Sequence, residues 1–239
     1  MKSKFNQLKS RVLLPSLLLL LFACNKNPDH SPVIEKEINV NGFNKVYAGE
    51  RFNVTITKGT NFYVKATGPA NSVNDIMWSV ANNILDIQYA HHESNRPVID
   101  IVITLPLFVQ LNLSGAATGS VNGFQGASNV LRAVLSGASK CTFNGTGVNM
   151  QIDISGASEL NVTGSTESLY GNISGAGKLN AFDLASTEVD ISASGGSEAR
   201  VKVTDRLFAE ATGGSLIYYK GTPGVKNIQT SGGGQVIQQ

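Results

Sequence analysis

The sequence predicts an all-β chain whose second half is a parallel β-helix solenoid, and three observations carry that prediction. Ser-Gly-Ala recurs at a nearly fixed period, as Ser114-Gly115-Ala116, Ser136-Gly137-Ala138, Ser155-Gly156-Ala157 and Ser174-Gly175-Ala176, then in the weaker copies Ser194-Gly195-Gly196, Thr212-Gly213-Gly214 and Ser231-Gly232-Gly233. Successive copies start 22, 19, 19, 20, 18 and 19 residues apart, and a repeat of about twenty residues marks stacked units rather than a globular domain. Around each copy the apolar residues alternate. Leu113, Leu135, Ile154 and Ile173 stand one before the tripeptide, Leu111, Ala133 and Ile152 three before, Cys141, Leu160, Leu179 and Ala199 five after its start, and Val121, Phe143, Val162, Ala181 and Val201 seven after. A period of two belongs to strands with one inward face. The glycine between them supplies a corner that other residues resist, with the alanine expected to keep the inside narrow.

Two short strands per repeat cannot bury their apolar faces alone, whereas coils stacked ~4.8 Å apart form a continuous column. Residues 107–239 are therefore expected to form about seven coils, right-handed because parallel crossovers take that hand by default. A β-sandwich is the competing reading, but its strand spacings vary more. Residues 34–106 lack the motif. There, 34–40, 43–47, 52–58, 62–66, 84–89 and 98–105 alternate as strands between turns such as Gly49-Glu50, Gly59-Thr60, Gly68-Pro69-Ala70-Asn71 and Asn82-Asn83. This segment is expected to be an N-terminal β cap or a set of degenerate early coils continuous with the repeats, with a small separate sandwich as the alternative.

The first 23 residues are read as an export signal. Lys2, Lys4, Lys9 and Arg11 precede an apolar run from Val12 to Ala23 that is too short to span a bilayer. Leu21-Phe22-Ala23-Cys24 resembles the lipobox of bacterial lipoproteins, which makes Cys24 the expected lipidation site and 24–33 a polar tether. The predicted location is the outer membrane, with the side it faces left open. Asp29 is the only acid near Cys24.

Removing the signal takes four of the 19 basic residues and none of the 17 acidic ones, leaving a net charge of −2. No basic stripe remains for nucleic acid. With Cys24 lipidated, Cys141 has no disulfide partner, and its phase makes it a buried apolar residue rather than a nucleophile. Gly171 to Lys178 departs from a phosphate loop in spacing and in the residue after the lysine. His91-His92 lacks a further ligand at zinc spacing, and a surface loop or edge suits adjacent histidines. No metal or cofactor is expected.

Some parallel β-helices cleave polysaccharides, so the acids were tested by phase. Asp153 and Glu210 fall three coils apart and Glu159 and Glu198 two, ~14 and ~10 Å by strand spacing, against ~5–9.5 Å for glycosidase pairs. Lys140, Glu159, Lys178 and Glu198 share one outward phase and are expected to form an alternating surface ladder. Thr142, Asn161 and Asn180 share another, and with Tyr218 they make the candidate binding face. Tyr218 or Tyr219 is the only aromatic platform in view.

Asn41-Gly42-Phe43-Asn44-Lys45-Val46, followed by Leu113-Ser114-Gly115-Ala116 at the start of the repeats, resembles the GIN-domain family of auto-transporter adhesin heads over residues 38 to 225. That resemblance implies a β-helical exported envelope protein of Gram-negative bacteria with an adhesive role, and it supplies no catalytic residues. The expected function is a lipid-anchored, non-enzymatic binding or adhesion module for glycan or protein. An envelope scaffold without a ligand and a polysaccharide-active enzyme are the alternatives. Oligomeric state is not readable.

Overall fold

The structure is a computed structural model that describes residues 29–93 and 95–239, and the side chains of these except at 126–129. The signal segment, Cys24 and residues 25–28 lie outside the described residues. In chain order come β1 (Val33–Glu37), β2 (Lys45–Ala48), β3 (Phe52–Lys58), β4 (Tyr63–Pro69), the one-turn helix α1 (Ala70–Asn74), β5 (Ile76–Ala81), β6 (Ile84–Tyr89), β7 (Ile99–Leu105) and β8 (Gln110–Leu113). Five long bent strands follow, β9 (Thr118–Leu135), β10 (Lys140–Ile154), β11 (Glu159–Ile173), β12 (Lys178–Ala193) and β13 (Glu198–Ala211), and then β14 (Leu216–Lys220), β15 (Val225–Thr230) and β16 (Gln235–Gln238). The chain is almost all β, a parallel solenoid of about seven turns.

Each long strand crosses both sides of a coil. Its first arm, after the tripeptide, stacks with other first arms into one column. Its second arm, before the next tripeptide, stacks into another. Cys141, Leu160, Leu179 and Ala199 face one another on successive rungs and are at most 2% exposed. Phe143, Val162, Ala181 and Val201 are buried two residues further on. The inward phase is the one the alternation predicts. Fully burying a side chain of Leu or Phe size contributes ~1.5–3 kcal/mol, and this column repeats that gain on every turn.

The corners explain the glycine. Gly137, Gly156 and Gly175 have φ of 74°, 69° and 70°, and a Cβ at Gly156 would lie 2.4 Å from the Gly137 carbonyl oxygen. Left-handed backbone and close approach of the next coil both demand glycine here. The residue after it donates its N–H to the glycine carbonyl one coil back, 2.7 Å for Ala138 to Gly115 and 2.7 Å for Ala157 to Gly137, so the ladder runs through the corner without a break. The alanine itself does not narrow the interior, contrary to the sequence expectation. Ala116, Ala138, Ala157 and Ala176 are exposed, and the residue that turns inward is the fourth, Ala117, Ser139, Ser158, Ser197 or Ser215. Buried hydroxyls donate to backbone carbonyls of the neighbouring coil, as from Ser215 Oγ to Ala193 O at 2.9 Å and from Ser197 Oγ to Ile173 O at 3.2 Å, or to one another, as from Ser139 Oγ to Ser158 Oγ at 3.3 Å.

The residues before 106 contribute parallel coils and antiparallel strands together. β2 pairs in parallel with β6 on one side and β8 on the other, and β3 does the same with β7 and β9. The chain therefore lays down the β2/β3 coil first, places β6/β7 on its far side, and returns to continue the repeats from β8. Glu50 takes the place of the corner glycine in the β2/β3 coil, with φ of 54° and its carbonyl accepting from Ala116 N at 2.7 Å. Beyond β7 lie β4 and then β1, both antiparallel, and β5 pairs antiparallel with β6 through a two-residue turn at Asn82-Asn83, both left-handed. Residues 29–32, counted with the tether in the sequence, are held against α1. Asp29 Oδ2 accepts from Ser72 N at 3.0 Å and Ser72 Oγ at 2.7 Å, and Pro32 O from Ala70 N at 2.9 Å.

Candidate functional site

The solenoid presents two outward faces, one per column. On the first column Lys140, Glu159, Lys178 and Glu198 stand on consecutive rungs of one row, between Thr118 and Leu216. The carboxylates are engaged elsewhere. Glu198 pairs with Arg200 Nε at 2.6 Å, and Glu159 accepts from Asn161 at 3.4 Å and Asn180 at 3.5 Å. Among the described residues neither lysine has an ion pair within 4.0 Å. Because exposed contacts are worth ~0.2–1 kcal/mol each, Lys178→Glu, which puts three acids in line, is expected to lower stability by about 1 kcal/mol in low salt and less in high salt. Urea melts at two salt concentrations check this, and a salt-independent result would show that the row does not act through charge.

The next row of that column is Ser120, Thr142, Asn161, Asn180, Arg200 and Tyr218. Its side chains serve one another. Asn180 Nδ2 donates to Asn161 Oδ1 at 2.9 Å, and the Arg200 guanidinium lies 5.7 Å from the Tyr218 ring centroid. Tyr219, the other aromatic named from sequence, points inward at 4% exposure, with its hydroxyl donating to Gln238 Oε1 at 3.1 Å. It is therefore no surface platform.

The second column carries aromatic residues that the sequence reading passed over. Tyr170, Asp190 and Phe208 occupy consecutive rungs of one outward row. Asn172, Ser192, Glu210 and Gln229 occupy consecutive rungs of the row beside it. Tyr170 is 44% and Phe208 40% exposed. Asp153, in the second row, is taken up by Arg132 at 2.8 Å and Asn172 at 3.2 Å, whereas Asp190 and Glu210 have no ion-pair partner within 4.0 Å among the described residues. Glu210 follows by two the residue facing Asp190, so the two acids are diagonal neighbours ~7–8 Å apart. The period of two could have exposed this row in the sequence, since Tyr170, Asp190 and Phe208 each stand four before a Ser-Gly or Thr-Gly corner.

Among the titratable groups with perturbed environments, Cys141 lies inside the column and Asp75 and Tyr89 lie at the β6/β7 end. Desolvation raises the Cys141 thiol to about 12, which fits a core residue and not a nucleophile. His91 and His92 lie in the loop after β6, with side chains 79% and 86% exposed; His91 Nδ1 meets Asp75 Oδ1 at 2.6 Å and His92 Nδ1 lies 3.7 Å from Glu50 Oε1. At this end Arg96, 6% exposed, pairs with Asp75, donates to the His91 carbonyl at 2.7 Å and lies 4.0 Å from the Tyr89 ring centroid.

Residues 42–223 match the family model described as "Putative auto-transporter adhesin, head GIN domain". The chain belongs to this family. The GIN-domain match takes in both corner types, the β2/β3 coil and six of the seven tripeptides. No curated protein matches the chain. Among solved structures it is similar to a putative adhesin from Bacteroides fragilis NCTC 9343, with TM-score 0.80, 21% identity, and coverage of 90% of this chain and 100% of that one. It is also similar to a putative adhesin and a putative lipid binding protein from Parabacteroides distasonis ATCC 8503. These have TM-scores of 0.70 and 0.65 and identities of 20% and 16%, each covering 89% of this chain and 99% of its own. At such identities the likeness establishes the fold alone, and the adhesin-head family points to an exported or cell-envelope protein.

Proposed function

We propose that this GIN-domain protein is a non-enzymatic binding or adhesion module, held at the outer membrane by a lipid on Cys24, that meets a glycan or protein through an outer face of the solenoid. The observation that carries this reading is the division of labour between inside and outside. The interior is filled by side chains from Val46 to Ile217 that are almost wholly buried, while the outward rows repeat polar groups at the strand spacing on a rigid frame. Such a frame offers a ligand a surface. The adhesin description of the family supports the same reading, and the lipobox-like Leu21-Phe22-Ala23-Cys24 supports the anchor.

Two lipid-borne acyl chains suffice for stable membrane attachment, so Cys24→Ala is expected to move the protein out of the membrane fraction and leave an unmodified N-terminus. Unchanged membrane association with no lipid on Cys24 would overturn the anchor. Binding is tested by displaying the intact protein against glycan and envelope-protein arrays with turnover followed in parallel. Specific retention without turnover is the expected result. Silence on every array would favour a ligand-free scaffold, and product formation would favour an enzyme.

A further inference from the structure

The second-column face narrows the ligand, an inference that rests on the binding-module reading. From β10 to β13 and on to β15 its rungs pair without a register shift over Asn149–Ile154, Ser168–Ile173, Glu188–Ala193, Arg206–Ala211 and Val225–Thr230. The irregularities of the long strands fall at the mid-strand bends. This half of each coil is therefore straight. Tyr170 and Phe208 stand two rungs apart on it, ~10 Å at the usual strand spacing, with Asp190 between them. Among the described residues neither ring stacks on another ring or under a cation. Two half-exposed rings aligned on a straight run of strands offer apolar surface that a partner can cover. Beside Phe208 runs a shallow groove of about 160 Å³ lined by Asp190, Ser192, Glu210, Asn227 and Gln229.

We infer that this row is the track for an extended, neutral β-1,4-linked glycan lying along the solenoid axis. One sugar of such a chain adds about the length of one rung, ~4.8 Å. Successive sugars are flipped, so alternate ones turn the same face to the protein. Tyr170 and Phe208 accordingly receive two alternate sugars, and the intervening sugar presents hydroxyls to Asp190. The adjacent row supplies Asn172 and Gln229 as donors and Glu210 as acceptor for the chain's edge. Charge selects against acidic polymers. Among the described residues Asp190 and Glu210 have no ion-pair partner within 4.0 Å, so they repel uronates and sulfates, while a carboxylate accepting from a sugar hydroxyl makes a charge-assisted bond. An α-1,4-linked chain coils, so its alternate sugars do not turn one face along a straight row.

The test is calorimetric titration of the intact protein with cellohexaose and chitohexaose, beside maltohexaose and a β-1,4-linked glucuronic acid hexamer. At least one straight neutral hexamer is expected to bind at least about tenfold more tightly than the coiled or acidic one. Tyr170→Ala and Phe208→Ala are each expected to weaken that binding roughly tenfold, the size of a buried anchor's loss, while Tyr170→Phe keeps it and Ser79→Ala, on the exposed side of β5, leaves it unchanged. Both rings are exposed, so an unaltered melting temperature confirms that the variants remain folded. Absence of binding by both neutral hexamers, equal binding of the acidic one, or indifference to both alanine substitutions overturns the track. If the arrays still capture another ligand, the binding-module reading survives that result; if they capture none, it falls as well.

Discussion

Leu160→Asp is expected to abolish cooperative folding of the solenoid. Leu160 has no exposed surface and faces Cys141 on one rung and Leu179 on the next. A carboxylate there has no donor within the apolar column, and burying an unpaired charge costs several kcal/mol or more, comparable with the ~5–15 kcal/mol that holds an ordinary domain together. Cys141 reports the outcome from the neighbouring rung. Its thiol is 2% exposed and burial raises its pKa to about 12, so in the parent protein it should resist a thiol reagent at neutral pH until denaturant is added. In Leu160→Asp it should label at once. Asn161→Asp, one residue on and outward, loses its donation to Glu159 and gains a like-charge contact there, which at a surface site should cost only about 1 kcal/mol. Were Asn161→Asp the more damaging of the two, the register would be off by one residue, since a slip of one reverses every side chain.

That prediction is legible in the sequence because the physics behind it is local and repeated. The phase of Cys141, Leu160, Leu179 and Ala199 follows from counting, and a stack of identical coils forces each inward position to face its own equivalent. The corner glycines are legible for the same reason. Each meets the carbonyl of the glycine one coil back, so the requirement recurs with the period and writes itself into the chain. Glu50 shows the limit, because the β2/β3 coil has the same corner without the glycine, and its identity appears only when its carbonyl is seen accepting from Ala116.

What the sequence hides depends on which coils meet. The placement of β6/β7 outside β2/β3 has no local signal, since the strands have equivalent patterns and only pairing distinguishes their order. A turn of three residues fits the motif as written and so points to the alanine as the inward residue, whereas the buried Ser139, Ser158, Ser197 and Ser215 lie just past it. The row of Tyr170, Asp190 and Phe208 repeats no residue type, so only its phase before each corner marks it in the sequence. The first-column row of Thr142, Asn161 and Asn180 is conspicuous because it repeats small polar residues at the coil period, and the structure adds that Asn161 and Asn180 are bonded to each other.

Arg96→Ala is expected to cost about 3–5 kcal/mol, the usual penalty for removing one partner of a buried charge pair. The side chain of Arg96 is 5% exposed and that of Asp75 16%, and the guanidinium also covers Tyr89, which packs on Phe52 with ring centroids 4.7 Å apart. Truncation therefore leaves a carboxylate without its cation and opens the end of the β6/β7 coil. Arg96→Met with Asp75→Asn should recover part of the loss, because no uncompensated charge remains and the stem packing is kept. The pH dependence provides a second readout. Desolvation raises the Asp75 pKa, but hydrogen bonds from the His91 side chain and backbone and the Arg96 interaction outweigh it, so the folded-state value lies below 3.8. A depressed carboxylate contributes stability that is present above the unfolded pKa and lost as pH falls through the folded one. The parent protein should therefore weaken below about pH 4, and Arg96→Ala, already lacking part of that stabilisation, should show a shallower decline over the same range. Urea melts at pH 7 and pH 3 measure both effects. A loss under about 1 kcal/mol at pH 7 with an unchanged acid slope would show that Arg96 is packed in the corner without holding it closed, and that the β6/β7 coil is secured by its ladders to β2, β3, β4 and β5.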